Sequence, residues 1–124
     1  MTMLVLDKSE ERRLKAERAR TGADRFDEVW DGVYVMAALA NNEHQHFATR
    51  LGSVFMDIVA WPEEGNVLVG CNVSDRETGW KKNYRCPDVA VFLTGNPAKD
   101  CGTHWFGGPD FVVEVVSPND RSRQ

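Results

Sequence analysis

The sequence predicts a small α+β domain, a mixed β-sheet covered by one helix. Three observations carry that prediction. Residues 85–93 and 109–117 are short valine-rich runs with Pro near the entry and Thr-Gly or Ser-Pro at the exit, the pattern of buried strands. Between residues 41 and 59, Phe47, Leu51, Val54, Phe55 and Ile58 recur at i, i+4, i+7, i+8 and i+11, one continuous apolar stripe of a helix. Residues 26–39 read as strand, turn, strand around Trp30-Asp31-Gly32.

Taken in chain order, residues 8–20 hold six basic and three acidic side chains, with Ser9 as a candidate N-cap and Thr21-Gly22 as the stop. So charged a helix has almost no face to bury, so residues 1–25 are expected to form a helical extension and residues 26–124 the domain proper. After the turn at Asp31-Gly32, Val33, Val35, Ala37 and Leu39 share one face. Asn41 or Asn42 caps the amphipathic helix, which should cover the sheet. On its wheel His44 falls inside the apolar stripe and Glu43 at its edge, while His46, Arg50 and Asp57 fall outside. Residues 61–66 are a turn and 67–71 a strand. Residues 74–83, with Lys81 and Lys82, and 94–108, with His104, Trp105 and Phe106, read as exposed loops.

Composition narrows the function classes. A chain of 124 residues with 42% hydrophobic content is one domain with little apolar surplus. Fifteen basic against nineteen acidic residues, a net charge of −4, argue against a protein that coats nucleic acid nonspecifically. They leave room for a nuclease, because a bound metal ion supplies positive charge locally. No run has the length of a membrane-spanning helix, and residues 1–6 are too short for a signal-peptide core. Three cysteines without a C-x-x-C pair or secretory signal indicate a cytoplasmic protein with reduced thiols. Zinc held by those cysteines and His104 is the alternative, and the spacing matches no standard ligand pattern.

Two carboxylates lie in the valine-rich runs, and burying them is costly unless something cationic meets them. Glu114 alternates with Val112 and Val116 on one side of its strand, opposite Phe111, Val113 and Val115. If the two strands are neighbours, Asp88 and Glu114 converge, and a divalent metal is the natural partner of the pair. The plain alternative is that Asp88 caps a turn after Pro87 and Glu114 pairs with an arginine.

Four segments in order carry a family resemblance: residues 27–36 (Asp27 to Met36), Glu43-His44-Gln45-His46-Phe47 opening the helix, residues 85–91 around Pro87-Asp88, and residues 109–118 around Glu114. Over residues 26–124 the chain resembles the Uma-two family of restriction-endonuclease-like proteins, within the PD-(D/E)XK nuclease superfamily. The resemblance implies a restriction-endonuclease-like fold, with the last helix and strands expected past Gln124. It implies hydrolysis of DNA phosphodiesters with Mg2+ or Mn2+ held by Asp88 and Glu114. Glu43 would be an additional acidic ligand and His44 a contact to the scissile phosphate or the metal. The ordinary readings beside these are an acid at a helix N-terminus and a packed histidine. Glu28 has the same standing, with a surface salt bridge as the alternative, and Asp110 reads as a turn residue.

The superfamily's water-positioning lysine sits two residues after the second acid, where this chain has Val116. In the Uma-two pattern it comes instead from the helix after Ser117-Pro118, so it is expected just past Gln124. Arg121 and Arg123 cannot replace it, because a guanidinium keeps its proton. Lys81, Lys82 or Lys99 could reach in from a loop. Superfamily nucleases often act as dimers, which makes a homodimer possible, with Trp80, Trp105 and Phe106 as candidate anchors. The competing function class is a noncatalytic interaction or nucleic-acid-binding module that keeps the nuclease scaffold.

Overall fold

A computed structural model describes residues 3–37 and 40–116. In chain order the elements are β1 (Met3–Val5), α1 (Lys8–Thr21), β2 (Glu28–Trp30), β3 (Val33–Met36), α2 (Asn42–Phe55), a π-helical turn (Met56–Ala60), β4 (Gly65–Val69), β5 (Val73–Ser74), a 3-10 turn (Trp80–Lys82), β6 (Tyr84–Arg85), β7 (Val89–Leu93), β8 (Lys99–Asp100), β9 (Trp105–Phe106) and β10 (Phe111–Val113). The α+β class and the covering helix hold. The sheet, however, is divided in two among the described residues: β1-β3-β2-β6-β5-β9-β8 in a larger one and β10-β7-β4 in a smaller one. No described helix is long and apolar enough to cross a membrane.

One ladder joins the two sheets. Gly65 stands opposite Leu93 and Val69 opposite Val89 in the smaller sheet, and the same register resumes with Val73 opposite Arg85 and Ser74 opposite Tyr84 in the larger. Three residues on each side bridge the gap, 70–72 and 86–88, held by the Gly70 N–H donating to the Asp88 carbonyl at 3.2 Å. The Cys86 thiol adds a contact to the Gly70 carbonyl at 3.3 Å. Asp88 therefore stands where the paired chain leaves one sheet for the other.

The central strand of the smaller sheet is packed on both faces, while β10 and β4 are half-buried to exposed. Val89, Ala90, Val91 and Phe92 of β7 are all buried, which an alternating strand achieves only with a layer on each side. On one face Phe55 of α2 lies 5.4 Å from the Phe111 ring, and a Cβ at Gly52 would stand 3.1 Å from Val69. On the other, Phe92 stacks on Trp105 of the larger sheet at 4.0 Å between centroids.

α2 is capped by Asn41, whose side-chain oxygen accepts the His44 N–H at 2.8 Å. The predicted stripe meets the sheet only in part. Leu51 and Phe55 are half-buried, whereas Phe47, Val54 and Ile58 are each more than half exposed, and the buried positions are Ala48 and Gly52. Small residues let the helix axis approach the strands, so they, not the large ones, set the contact. The expected placement of Leu39 lies outside the described residues, as does everything read into Ser117–Gln124.

α1 begins two residues earlier than Ser9 suggested. Asp7 is the N-cap, accepting from Ser9 N (2.9 Å) and Glu10 N (3.1 Å), and Gly22 in the left-handed region (φ 77) closes the helix. Most of its charged side chains are exposed as expected, but Glu11 is buried between Lys8 and Lys15, and Leu14 packs against the Val5, Val29 and Tyr34 cluster. Arg18 bonds both oxygens of Asp27 at 2.7 Å, and Asp27 is almost wholly buried. The loops are also less free than their polarity implies. Ser74 is buried, with its hydroxyl donating to the Asn83 carbonyl at 2.6 Å.

Candidate functional site

Asp88 follows Pro87 at the sheet crossing, and β10 runs antiparallel beside β7 with Val113 opposite Val89. Continuing that register by one residue sets Glu114 opposite Asp88. The peptide unit after Glu114 touches the aspartate directly: the Val115 N–H donates to Asp88 Oδ2 at 2.6 Å. His44, in the first turn of α2, brings Nε2 to 3.3 Å from the same oxygen. Both side chains are only about a quarter exposed, at 24% for His44 and 22% for Asp88.

A third reporter of proximity is Cys86. Its thiol is pushed up to about 12, chiefly by burial, and then by the charges of Glu28, Cys71, Glu114 and Asp88. The Glu114 carboxylate therefore acts electrostatically on the residue two places before Asp88. Glu114 itself is exposed.

Of the four predicted site residues, the structure gathers Asp88 and His44, with the amide of Val115, the residue after Glu114, on the same carboxylate. Glu43 stands exposed one residue before His44 and makes no hydrogen bond or ion pair among the described residues. Glu28 forms no salt bridge among the described residues: its carboxylate accepts the Cys86 N–H at 2.6 Å and the Trp30 indole N–H at 2.8 Å, tying β2 to the approach to Asp88. Asp110 behaves as the turn residue expected. It accepts from Leu93 N (2.7 Å) and Asn96 Nδ2 (2.8 Å), and the Asn96 amide above all holds its carboxyl below the usual range.

The zinc alternative finds no support in His104. One ring nitrogen lies 2.9 Å from Thr103 Oγ1 and the other 3.1 Å from the Arg76 carbonyl oxygen. The ring is buried against Trp80. Trp80 and Trp105 are half-buried in stacks and so are not the exposed anchors read from their loops, whereas Phe106 is 37% exposed.

The two carboxylates suit a hard divalent cation in kind, since both offer oxygen donors. His44 faces Asp88 through Nε2, and its buried Nδ1 has no hydrogen-bond partner among the described residues. Among those residues no three His, Cys, Asp or Glu side chains converge as a closed cage. What the sequence could not signal is the Val115 amide, since a backbone N–H has no residue type.

A sequence model of the Uma2 family, described as "Putative restriction endonuclease", matches residues 13–124. The chain therefore belongs to that family. The match opens inside α1, earlier than the motifs at residues 27–118 on their own suggest. No curated protein and no solved structure matches the chain.

Proposed function

We propose that this member of the Uma2 family hydrolyses DNA phosphodiester bonds with Mg2+ or Mn2+ held by Asp88 and Glu114. The observation that carries the reading is the Asp88 carboxylate, which accepts the Val115 N–H at 2.6 Å with His44 Nε2 3.3 Å from the same oxygen. The β7–β10 register, carried one residue past its last pair, supports Glu114 as its cross-strand neighbour. A bound cation would activate water and neutralise charge on the phosphoryl oxygens. The protein's part is positioning. The amide orients Asp88 Oδ2, His44 approaches the same oxygen from α2, and exposed Glu43 beside it is the candidate further oxygen donor.

Among the lysines weighed from the loops as the water-positioning group, Lys99 is paired with Glu77, Lys81 lies over Trp80, and Lys82 sits in the 3-10 turn before β6, none of which favours that role. Val116, two residues after Glu114, favours the second reading, a noncatalytic module on the same scaffold.

Calorimetric titration of Mg2+ and Mn2+ into the wild type, Asp88→Asn and Glu114→Gln tests the site. Binding should weaken at least about tenfold in both variants, a difference of roughly 1.4 kcal/mol or more. Equal binding in all three removes the site. Metal binding without plasmid cleavage supports the module.

A further inference from the structure

Away from the acidic pair, a cationic surface carries no role in the reading above. It is built on the β2–β3 turn, where Asp31 and Gly32 both have positive φ (47 and 85). Three contacts fasten the 3-10 turn and α1 to it. The Gly32 N–H donates to the Lys82 carbonyl at 3.3 Å, the Asp31 N–H to Asn83 Oδ1 at 3.0 Å, and Lys8 Nζ to the Gly32 carbonyl at 3.1 Å. Arg85 joins from β6, bonding the Val29 carbonyl at 2.9 Å with its guanidinium carbon 5.1 Å from the Trp30 ring centre. Among the described residues, Lys81, Lys82 and Arg85 form no ion pair, whereas Arg76 and Lys99 nearby are matched to Asp75 and Glu77.

The placement of Arg85 gives this surface a direction. Arg85, Val73 and Trp105 are paired across β6, β5 and β9, so they share one face of the larger sheet. Trp105 stacks on Phe92, so that face is the one turned toward the smaller sheet. Arg85 also stands three residues before Asp88, roughly 10 Å along an extended chain, and Lys82 six residues before, roughly 20 Å. The cations thus lead up to the acidic pair along one stretch of backbone.

Resting on the proposed function, we infer that Lys81, Lys82 and Arg85, with the Trp30 ring beside them, form the surface that holds the DNA backbone next to the cut site. Unpaired cations on a rigid support suit a regular polyanion. About 20 Å corresponds to roughly six base pairs of duplex at 3.4 Å each. The Trp30 ring already carries a guanidinium on its face, so its part is to keep Arg85 extended. An acidic protein partner, lacking that regular spacing, fits the surface less well.

The test is fluorescence anisotropy with a labelled duplex of about 20 base pairs in EDTA, between roughly 50 and 200 mM salt. Lys81→Gln/Lys82→Gln is the main variant, because both side chains are exposed and make no structural hydrogen bond. Arg85→Gln is tested separately. Arg20→Gln/Arg50→Gln, on exposed helix positions, matches the charge change of the lysine pair. The double lysine variant should bind about tenfold or more weakly at low salt, with a salt slope smaller by about 1 to 2, and Arg85→Gln should remove about 1 more. The control pair should keep the wild-type slope. Equal slopes in wild type and lysine variant, or no duplex binding by the wild type, overturn the inference. The metal titration judges the acidic pair separately: a lost metal site with an intact lysine effect would sink the hydrolase and leave this surface standing.

Discussion

Replacing Asp27 by Asn should unfold this protein more readily than almost any other single change outside the strands. Asp27 is 2% exposed and receives only donors: Arg18 Nε and Nη2 at 2.7 Å each, the Ala37 N–H at 2.7 Å, and the Tyr34 hydroxyl. Burial first, and the Asp27 charge after it, push the Tyr34 phenol well above its ordinary range, so it stays a donor. An asparagine amide would turn its NH2 against one of these donors and leave the Arg18 charge unpaired. Breaking a buried pair costs about 3–5 kcal/mol. Arg18 keeps the carbonyls of Ala23 (2.8 Å) and Ala37 (3.1 Å) and is 19% exposed on its side chain, which puts the expected loss near the lower end, about 3 kcal/mol. For a chain of this size that lowers Tm by about 10 °C. Urea unfolding followed by circular dichroism, on Asp27→Asn, Arg18→Gln and the double variant, measures it. The double variant should lose less than the two singles together. A loss below about 1 kcal/mol in Asp27→Asn, or strict additivity, would refute the claim that α1 is locked to the domain through this pair.

Two further outcomes follow from the packing. A methyl group at Gly65 would run into the Phe92 carbonyl oxygen and stand 2.9 Å from the Leu93 Cα, so Gly65→Ala should cost about 1–3 kcal/mol in urea unfolding, while wild-type stability would show that β4 does not pair there. The Cys86 and Cys71 thiols are pushed up to about 12 and about 11, mainly by burial, so both stay protonated at pH 8. Iodoacetamide should label them about a hundredfold or more slowly in native protein than in urea, read by mass spectrometry; equal rates would contradict their burial.

Much of the fold was legible because local chemistry decides it. The valine-rich runs became β7 and β10, though only β7 is buried and β10 stops short of the exposed Glu114; Asn41 caps α2, and Asp31-Gly32 make the hairpin turn. The division into two sheets was not legible. Residues 70–72 and 86–88 keep the register of the strands around them, so no inserted residue betrays the crossing. The burial of α2 was misjudged for a related reason: a stripe of large residues predicts a face, but Ala48 and Gly52 decide how closely the helix sits. Asp27 gave no signal because its main partner, Arg18, lies in a helix that looked wholly solvated. At the candidate site Asp88 and His44 were visible as residue types, while the amide that orients Asp88 had none to show.

The most direct test of the acidic pair is a crystal grown or soaked with Mn2+ and measured for anomalous scattering. The account predicts one peak within about 2.5 Å of oxygens from both Asp88 and Glu114, absent in crystals of Asp88→Asn. A manganese peak elsewhere with this pair bare, or the same peak kept in Asp88→Asn, would contradict it.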